Sequence, residues 1–440
     1  MSKSKKVVIT FGILFLAAFL LSYFVVDFPF AAAGLNREVA RAKVNKIPMV
    51  REDLNPNPPV KPDENAAPLM VQIARNALGD FNHVREKISP DARDADEIRE
   101  LDNLKAAEKH LPAFLEANKK PSYWVDRDYD ESVNLLFPEF SGFKDFSKAL
   151  ATRARLRAEK GDLQGSIDDL NAGLQISRHL SEEPTLIGQL VSIAIYSIES
   201  NAVAKVASNF SNDAKSLERL RREVVEKSTP PDDFDKALRG EVYMEIALLR
   251  NMQRYRGYRG IQDLADGREP KPRPDIPLQR SGMPKGIVAR AFMARCLGYW
   301  NHVMESTAWK ERDWANLGPD MDKYALQHDI SKTHHLSDSF NSIFMPVFGA
   351  AGRSYAGAEA YKRVTRSLLL VMEYSAKNHR FPTDLKQAGA EADDPYLHGV
   401  KLRYQSDGKS AKVWSVGKDG KDDGGEKKKA KDIVAMYPSR

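Results

Sequence analysis

Apolar side chains recur three and four residues apart in successive stretches between Leu69 and Tyr374. That period restricts most of the chain to packed α-helices. Leu69, Ile73, Ala74, Ala77, Leu78 and Phe81 form the first stripe; Leu101, Leu104, Ala107, Leu111 and Leu115 form a second within a helix expected over 95–117. The clearest pair is 143–160 followed by 163–179, with Gly161 ending one helix and Asp162 placed to cap the next. Leu186–Ile198 holds Gln189 and is too short to span a bilayer, so it is expected as a central core helix. Further helices are expected over 213–227, 232–252, 285–310 and 352–379. The aromatics Tyr123, Trp124, Tyr129, Phe137 and Phe140 lie in a non-periodic stretch that packs as a connection on the helices. Gly257–Lys285, rich in glycine and proline, is expected as a long loop.

The amino terminus carries a different signal. Val7–Val26 is uncharged, follows Lys3, Lys5 and Lys6, and as a helix rises about 30 Å, the thickness of a hydrocarbon core. It is expected as a single transmembrane anchor at 7–26 behind a cytoplasmic tip at 1–6; the lysines then leave the bulk of the chain outside the cytoplasm. The alternative is a cleaved signal peptide, for which Ala31, Ala32 and Ala33 supply small residues. Prolines 56, 58, 59, 62 and 68 make 27–68 a juxtamembrane segment and spacer. The expected body runs over 69–345 and a separate carboxy-terminal module over 346–440. The lone Cys296 excludes an intrachain disulfide and any zinc site with two cysteines. Net charge is only +6, from 67 basic and 61 acidic residues, which implies no nucleic-acid partner.

The last sixty or so residues change period. The segments around Leu402–Tyr404 and Val413–Val416 alternate as strands joined by a turn at Asp407–Gly408, and Asp432–Tyr437 supplies one more strand. The fold class expected is therefore mainly α: an irregular bundle of helical hairpins with one N-terminal transmembrane helix and a small carboxy-terminal α+β module. The turn at Gly161–Asp162 resembles one unit of a tetratricopeptide array, without a second copy at the roughly 34-residue spacing of a solenoid.

An ordered string in the tail carries a second resemblance. It comprises Phe381-Pro382-Thr383-Asp384-Leu385, Asp394-Pro395, Tyr404, Ser415–Gly420, Gly424-Gly425 and Asp432-Ile433. Over 352–440 the chain resembles the globular half of type II secretion major pseudopilins. The hydrophobic segment lies far upstream of this part, and the glycine–phenylalanine processing junction and early glutamate of that family are missing. The whole layout is similar to membrane-anchored envelope proteins of planctomycete-type bacteria. The pseudopilin resemblance implies a structural calcium site in the glycine-acid loop, with Asp419 and Asp432 as ligands and Asp422 or Asp423 joining them. The residues alone offer those carboxylates or an acidic turn offset by Lys427, Lys428, Lys429 and Lys431.

Catalytic motifs of the zincin, nucleotide-loop and nucleophile-elbow kinds are lacking. His328, His334 and His335 offer nitrogen ligands to a transition metal but fit no standard ligand spacing; Arg250, Arg254, Arg256 and Arg259, interleaved with Tyr255 and Tyr258, offer a nucleic-acid contact or, the preferred reading, a helix end paired with acids such as Glu241 and Glu245. The expected protein is a non-enzymatic, membrane-tethered structural or interaction protein of the bacterial inner membrane. It would contact the lipid bilayer and an envelope protein partner. An extracytoplasmic hydrolase with a cleft under the 257–285 loop and a secretion-system accessory protein are the alternatives.

Overall fold

The computed structural model describes residues 23–87, 95–231, 233–257, 259–260, 263, 266, 268, 271–311, 313–327, 336–338, 346–426 and 432–438. The chain divides into two discontinuous compact units. Unit 1 comprises 1–55, 127–135 and 239–350; unit 2 comprises 56–126, 136–238 and 351–440.

In unit 1, a π-helical turn at Tyr23–Asp27 leads into α1 (Phe28–Ala33) and α2 (Leu35–Val44). Both pack on α11 (Ile287–Glu305). Phe28 meets Phe292 edge-on at 6.0 Å, and Asn301 donates to the Glu38 backbone carbonyl and carboxylate. Arg41 joins Glu38 to Glu305. The Ser306 hydroxyl caps a short α12 (Thr307–Lys310), which breaks the helix expected to run unbroken to 310. α13 (Trp314–Gln327) follows.

Unit 2 begins with α3 (Ala67–Lys87). Its buried face is Met70, Ala74, Ala77 and Phe81, the last three as expected, while Leu69 is 47% exposed and Met70 takes its place at the start of the stripe. α4 (Ala95–Glu108) and α5 (Leu111–Asn118) replace the single helix expected there, with Pro112 in the first turn of α5. α6 (Glu139–Glu159) and α7 (Leu163–Leu180) form the hairpin anticipated from Gly161 and Asp162. Gly161 has φ +78°, a conformation that glycine adopts without penalty, and the Asp162 carboxylate accepts from Gly165 N–H at 2.8 Å. α8 (Leu186–Asn209) packs against both. α9 (Ala214–Leu220) continues through a π-helical turn, Arg221–Val225.

Two helices run across the boundary between units. α10 is Phe234–Arg250, and α14 is Pro346–Asn378. The part of α14 in unit 2 feeds β1 (Arg403–Ser406), β2 (Ala411–Ser415) and β3 (Ile433–Tyr437), an antiparallel sheet in the order β1-β2-β3. Tyr404 and Ala435 flank Val413 in register. The sheet shares one core with the helices: Leu170, Val206, Leu220, Leu368, Met372, Val413 and Ile433 belong to the same buried cluster.

The mainly helical architecture and the small β module agree with the sequence. The N-terminal transmembrane helix in the expected fold class is corrected. Among the described residues, the one helix long and apolar enough to cross a membrane is α8, in mid-chain. Its most apolar stretch is 61% buried within the protein. Reading only Leu186–Ile198 missed its full length, because small residues from Ala202 to Ala207 carry the apolar surface onward. Residues 7–22 of the expected anchor lie outside the described residues. The described end of that run leads to Asp27, a buried carboxylate accepting from the Ser337 N–H and hydroxyl.

Close packing in unit 2 sets a stability prediction. A Cβ on Gly173 of α7 would lie 2.0 Å from Glu199 Oε1 of α8. Glu199 is fully enclosed, accepts from the Ser147 hydroxyl at 2.7 Å, and burial pushes its carboxyl well above the usual range. Gly173→Ala is expected to cost about 1–3 kcal/mol by overpacking. Adding Glu199→Ala is expected to recover more than about 1 kcal/mol of that, measured as a coupling energy in denaturant unfolding. Strictly additive effects would contradict the contact.

Candidate functional site

One groove lies within unit 2. Val84 of α3, with Asp96, Arg99, Glu100 and Asn103 of α4, borders about 750 Å³ together with one face of α6 between Asp145 and Arg155 and one face of α8 between Ile198 and Lys205. Helical spacing produces it. Asp145, Lys148, Thr152 and Arg155 recur along α6, and Ile198, Ala202 and Lys205 along α8, so each helix contributes one wall. Apolar atoms of Val84, Ala151, Ile198 and Ala202 line it between charged side chains. Glu100 bridges the walls, 3.4 Å from Arg155 and 3.2 Å from Lys205. Lys148 pairs with the buried Asp145 at 3.2 Å, and Asn103 donates to the Asp145 backbone carbonyl. The result is an apolar groove edged by both charges.

The tail places the four aspartates expected to bind calcium around one loop. Asp422 accepts from Trp414 Nε1 at 2.9 Å, Arg403 Nε at 3.0 Å and Gly424 N–H at 3.0 Å. Those donors hold its carboxyl below the ordinary range, the Trp414 bond foremost. Asp432 accepts from the N–H groups of Asp423 and Gly425. Asp419 accepts from Lys421 N–H, and Asp423 is exposed. Gly424 and Gly425 both have positive φ, and Gly425 lies flat against the Trp414 ring, where a Cβ would come within 3.0 Å. A hard cation draws on several carboxylate and carbonyl oxygens. Here Asp419, Asp422 and Asp432 each accept from N–H donors of the tail. Among the described residues no group of three or more His, Cys, Asp or Glu side chains is placed to hold a metal ion.

Positive charge is supplied from within the tail. Arg403 Nη1 donates to Asp394 at 2.7 Å while its Nε reaches Asp422. Asp394 is buried and also accepts from the Ser415 hydroxyl, Val416 N–H and Tyr396 N–H. Lys412 Nζ lies 5.0 Å from the Trp414 ring centroid and donates to the Gly424 carbonyl. The sequence offered Asp394 within Asp394-Pro395, but nothing in it linked Asp394 to Arg403.

Buried titratable groups occur apart from these sites. In unit 1, Glu245 accepts from Trp300 Nε1 at 2.7 Å and from the Cys296 thiol at 3.3 Å. Desolvation pushes its carboxyl up to about 8. This corrects the expected pairing of Glu245 with the arginine cluster: Arg250 instead donates to the carbonyls of Met49, Arg280 and Gly282. Cys296 is buried, and desolvation raises its thiol well above the ordinary value, which suppresses the reactive thiolate. In unit 2, His179 is buried between α5 and α7, and desolvation pulls it down to about 4.

Within the loop expected over 257–285, the stretch 271–285 is held by hydrogen bonds to α10 and the turns that follow it. Asn251 and Gln279 exchange hydrogen bonds between side chain and backbone, and Arg254 and Arg273 pair through the backbone. Its Arg280 clasps Asp128 and Asp130. His328, His334 and His335 lie outside the described residues. No protein-family model, curated protein or solved structure matches the chain.

Proposed function

We propose that the protein is a non-enzymatic interaction protein of the bacterial envelope, and that the groove of unit 2 receives a segment of a protein partner. The groove is the observation that carries this reading. Its apolar surface suits side chains at helical spacing, and its paired walls, Arg155–Glu100–Lys205 and Lys148–Asp145, offer both charges to a partner's polar rim. The buried acids Glu199 and Glu245 have no place among the groove's lining residues. The likeness of 352–440 to pseudopilins supports an envelope setting.

The test uses the full chain, affinity-isolated with its bound proteins from envelope preparations. Ile198→Glu places a charge on the half-buried groove surface. It is expected to reduce recovery of a stoichiometric partner about tenfold or more, with the circular dichroism spectrum unchanged. Undiminished recovery of that partner would overturn the assignment.

A further inference from the structure

Unit 1 holds a pocket of another character. It encloses about 420 Å³ and is lined by Phe28 of α1, Met252, Gln253, Gly257, and the stretch Lys285–Ala289 with Phe292. That volume lies within the roughly 300–1,000 Å³ of small-molecule sites, toward the end that suits one alkyl chain rather than two. Its walls are Phe28, Met252, Ile287, Val288, Ala289 and Phe292, with no carboxylate among the lining residues. The polar side chains are Gln253 and Lys285, both exposed. Lys285 has no ion pair among the described residues, and Arg256, next to lining Gly257, is exposed as well.

Part of the apolar wall, with the adjoining Met283, is open to solvent. Ile287, itself in the lining, is 43% exposed, and Met283 is 37% exposed. Such patches mark binding surfaces. An apolar slot with a single cation and no acid in its lining is complementary to a long chain ending in a negative head group.

We propose that this pocket binds a single-chain anionic amphiphile, a long-chain fatty acid, with the alkyl chain against Phe28, Ile287, Val288 and Phe292 and the carboxylate at Lys285. The site is independent of the groove reading, since every residue it uses belongs to unit 1.

Native mass spectrometry of the full chain in non-ionic detergent tests it, with palmitate, hexadecanol, acetate and two-chain phosphatidylglycerol as probes. One palmitate per chain is expected to bind, and acetate is not. Hexadecanol, with the same chain and no charge, is expected to bind about tenfold more weakly. Lys285→Glu, at an exposed position, should bring palmitate down to the hexadecanol level or below and leave hexadecanol unchanged. Val288→Trp, which fills the slot from a half-buried position, should remove both, with the melting temperature checked for an intact fold. Three results would overturn the proposal: no palmitate adduct on the wild-type chain, palmitate binding unaltered by both substitutions, or phosphatidylglycerol binding preferred over palmitate. A wild-type adduct lost on Lys285→Glu, with unchanged melting, supports it even if Val288→Trp fails to fold.

Discussion

Asp394→Ala is expected to destabilise unit 2 by about 3–5 kcal/mol, the usual cost of breaking a buried ion pair from one side. The buried carboxylate takes four hydrogen bonds: from Arg403, the Ser415 hydroxyl, and the N–H groups of Tyr396 and Val416. Alanine leaves Arg403 without its closest partner and deprives two backbone donors of theirs, and each such loss costs about 1–3 kcal/mol when the donor stays dry. The effect extends past the tail, because Val413 and Ile433 lie in the same core as Leu170, Val206 and Leu220. The transition of unit 2 should therefore move as a whole, with the melting temperature falling on the order of 10 °C. Calorimetry of the full chain checks this. A loss below about 1 kcal/mol would mean that the tail is closed by something other than the Arg403–Asp394 pair.

The second large effect is a pH dependence with a defined sign. Glu245 titrates near 8 in the folded protein against 4.5 in a free chain. The native state therefore holds a proton that the unfolded state has released across that window, and stability falls as pH rises through it. The slope is about 1.4 kcal/mol per pH unit, on the order of 5 kcal/mol over the whole range. His179 acts in the opposite direction. Pulled down to about 4 from 6.5, it withholds stability at low pH, and its contribution is complete once pH exceeds 6.5. Between pH 6.5 and 8 the decline belongs to groups of the Glu245 kind. Glu245→Gln keeps a carbonyl for Trp300 and removes the titration. Between pH 6.5 and 8 the unfolding free energy of this variant should fall by about 2 kcal/mol less than that of the wild type, the remaining decline belonging to other buried acids such as Glu199. Parallel curves for the two proteins would contradict the buried, protonated state of Glu245.

Local chemistry was legible in the sequence, and long-range convergence was not. Gly161 and Asp162 announced the α6–α7 hairpin because a positive φ and a side-chain cap depend on neighbours in sequence. The strands of the tail and the Asp407–Gly408 turn were readable for the same reason: the Asp407 carboxylate accepts from the N–H groups of Lys409 and Ser410. The stripe of α3 was readable at Ala74, Ala77 and Phe81 but misplaced at its start, since Leu69 satisfies the helical period as well as Met70 does and only tertiary packing chooses between them. The acidic loop was located correctly, but what its aspartates contact was hidden. Trp414 and Arg403 stand on separate strands, and their approach to Asp422 depends on sheet register. The groove had no sequence signal at all, because its walls come from four helices spread between Val84 and Lys205.

Site-specific photo-crosslinking in living cells tests the groove most directly. A photoreactive residue at Asn201, an exposed position in the lining, is expected to trap one discrete protein partner. The same residue at Ile187, 49% exposed on the first turn of α8 and outside the lining, is expected to trap none. Equal crosslinking from both positions, or none from Asn201 while other surface positions do trap a partner, would contradict the account.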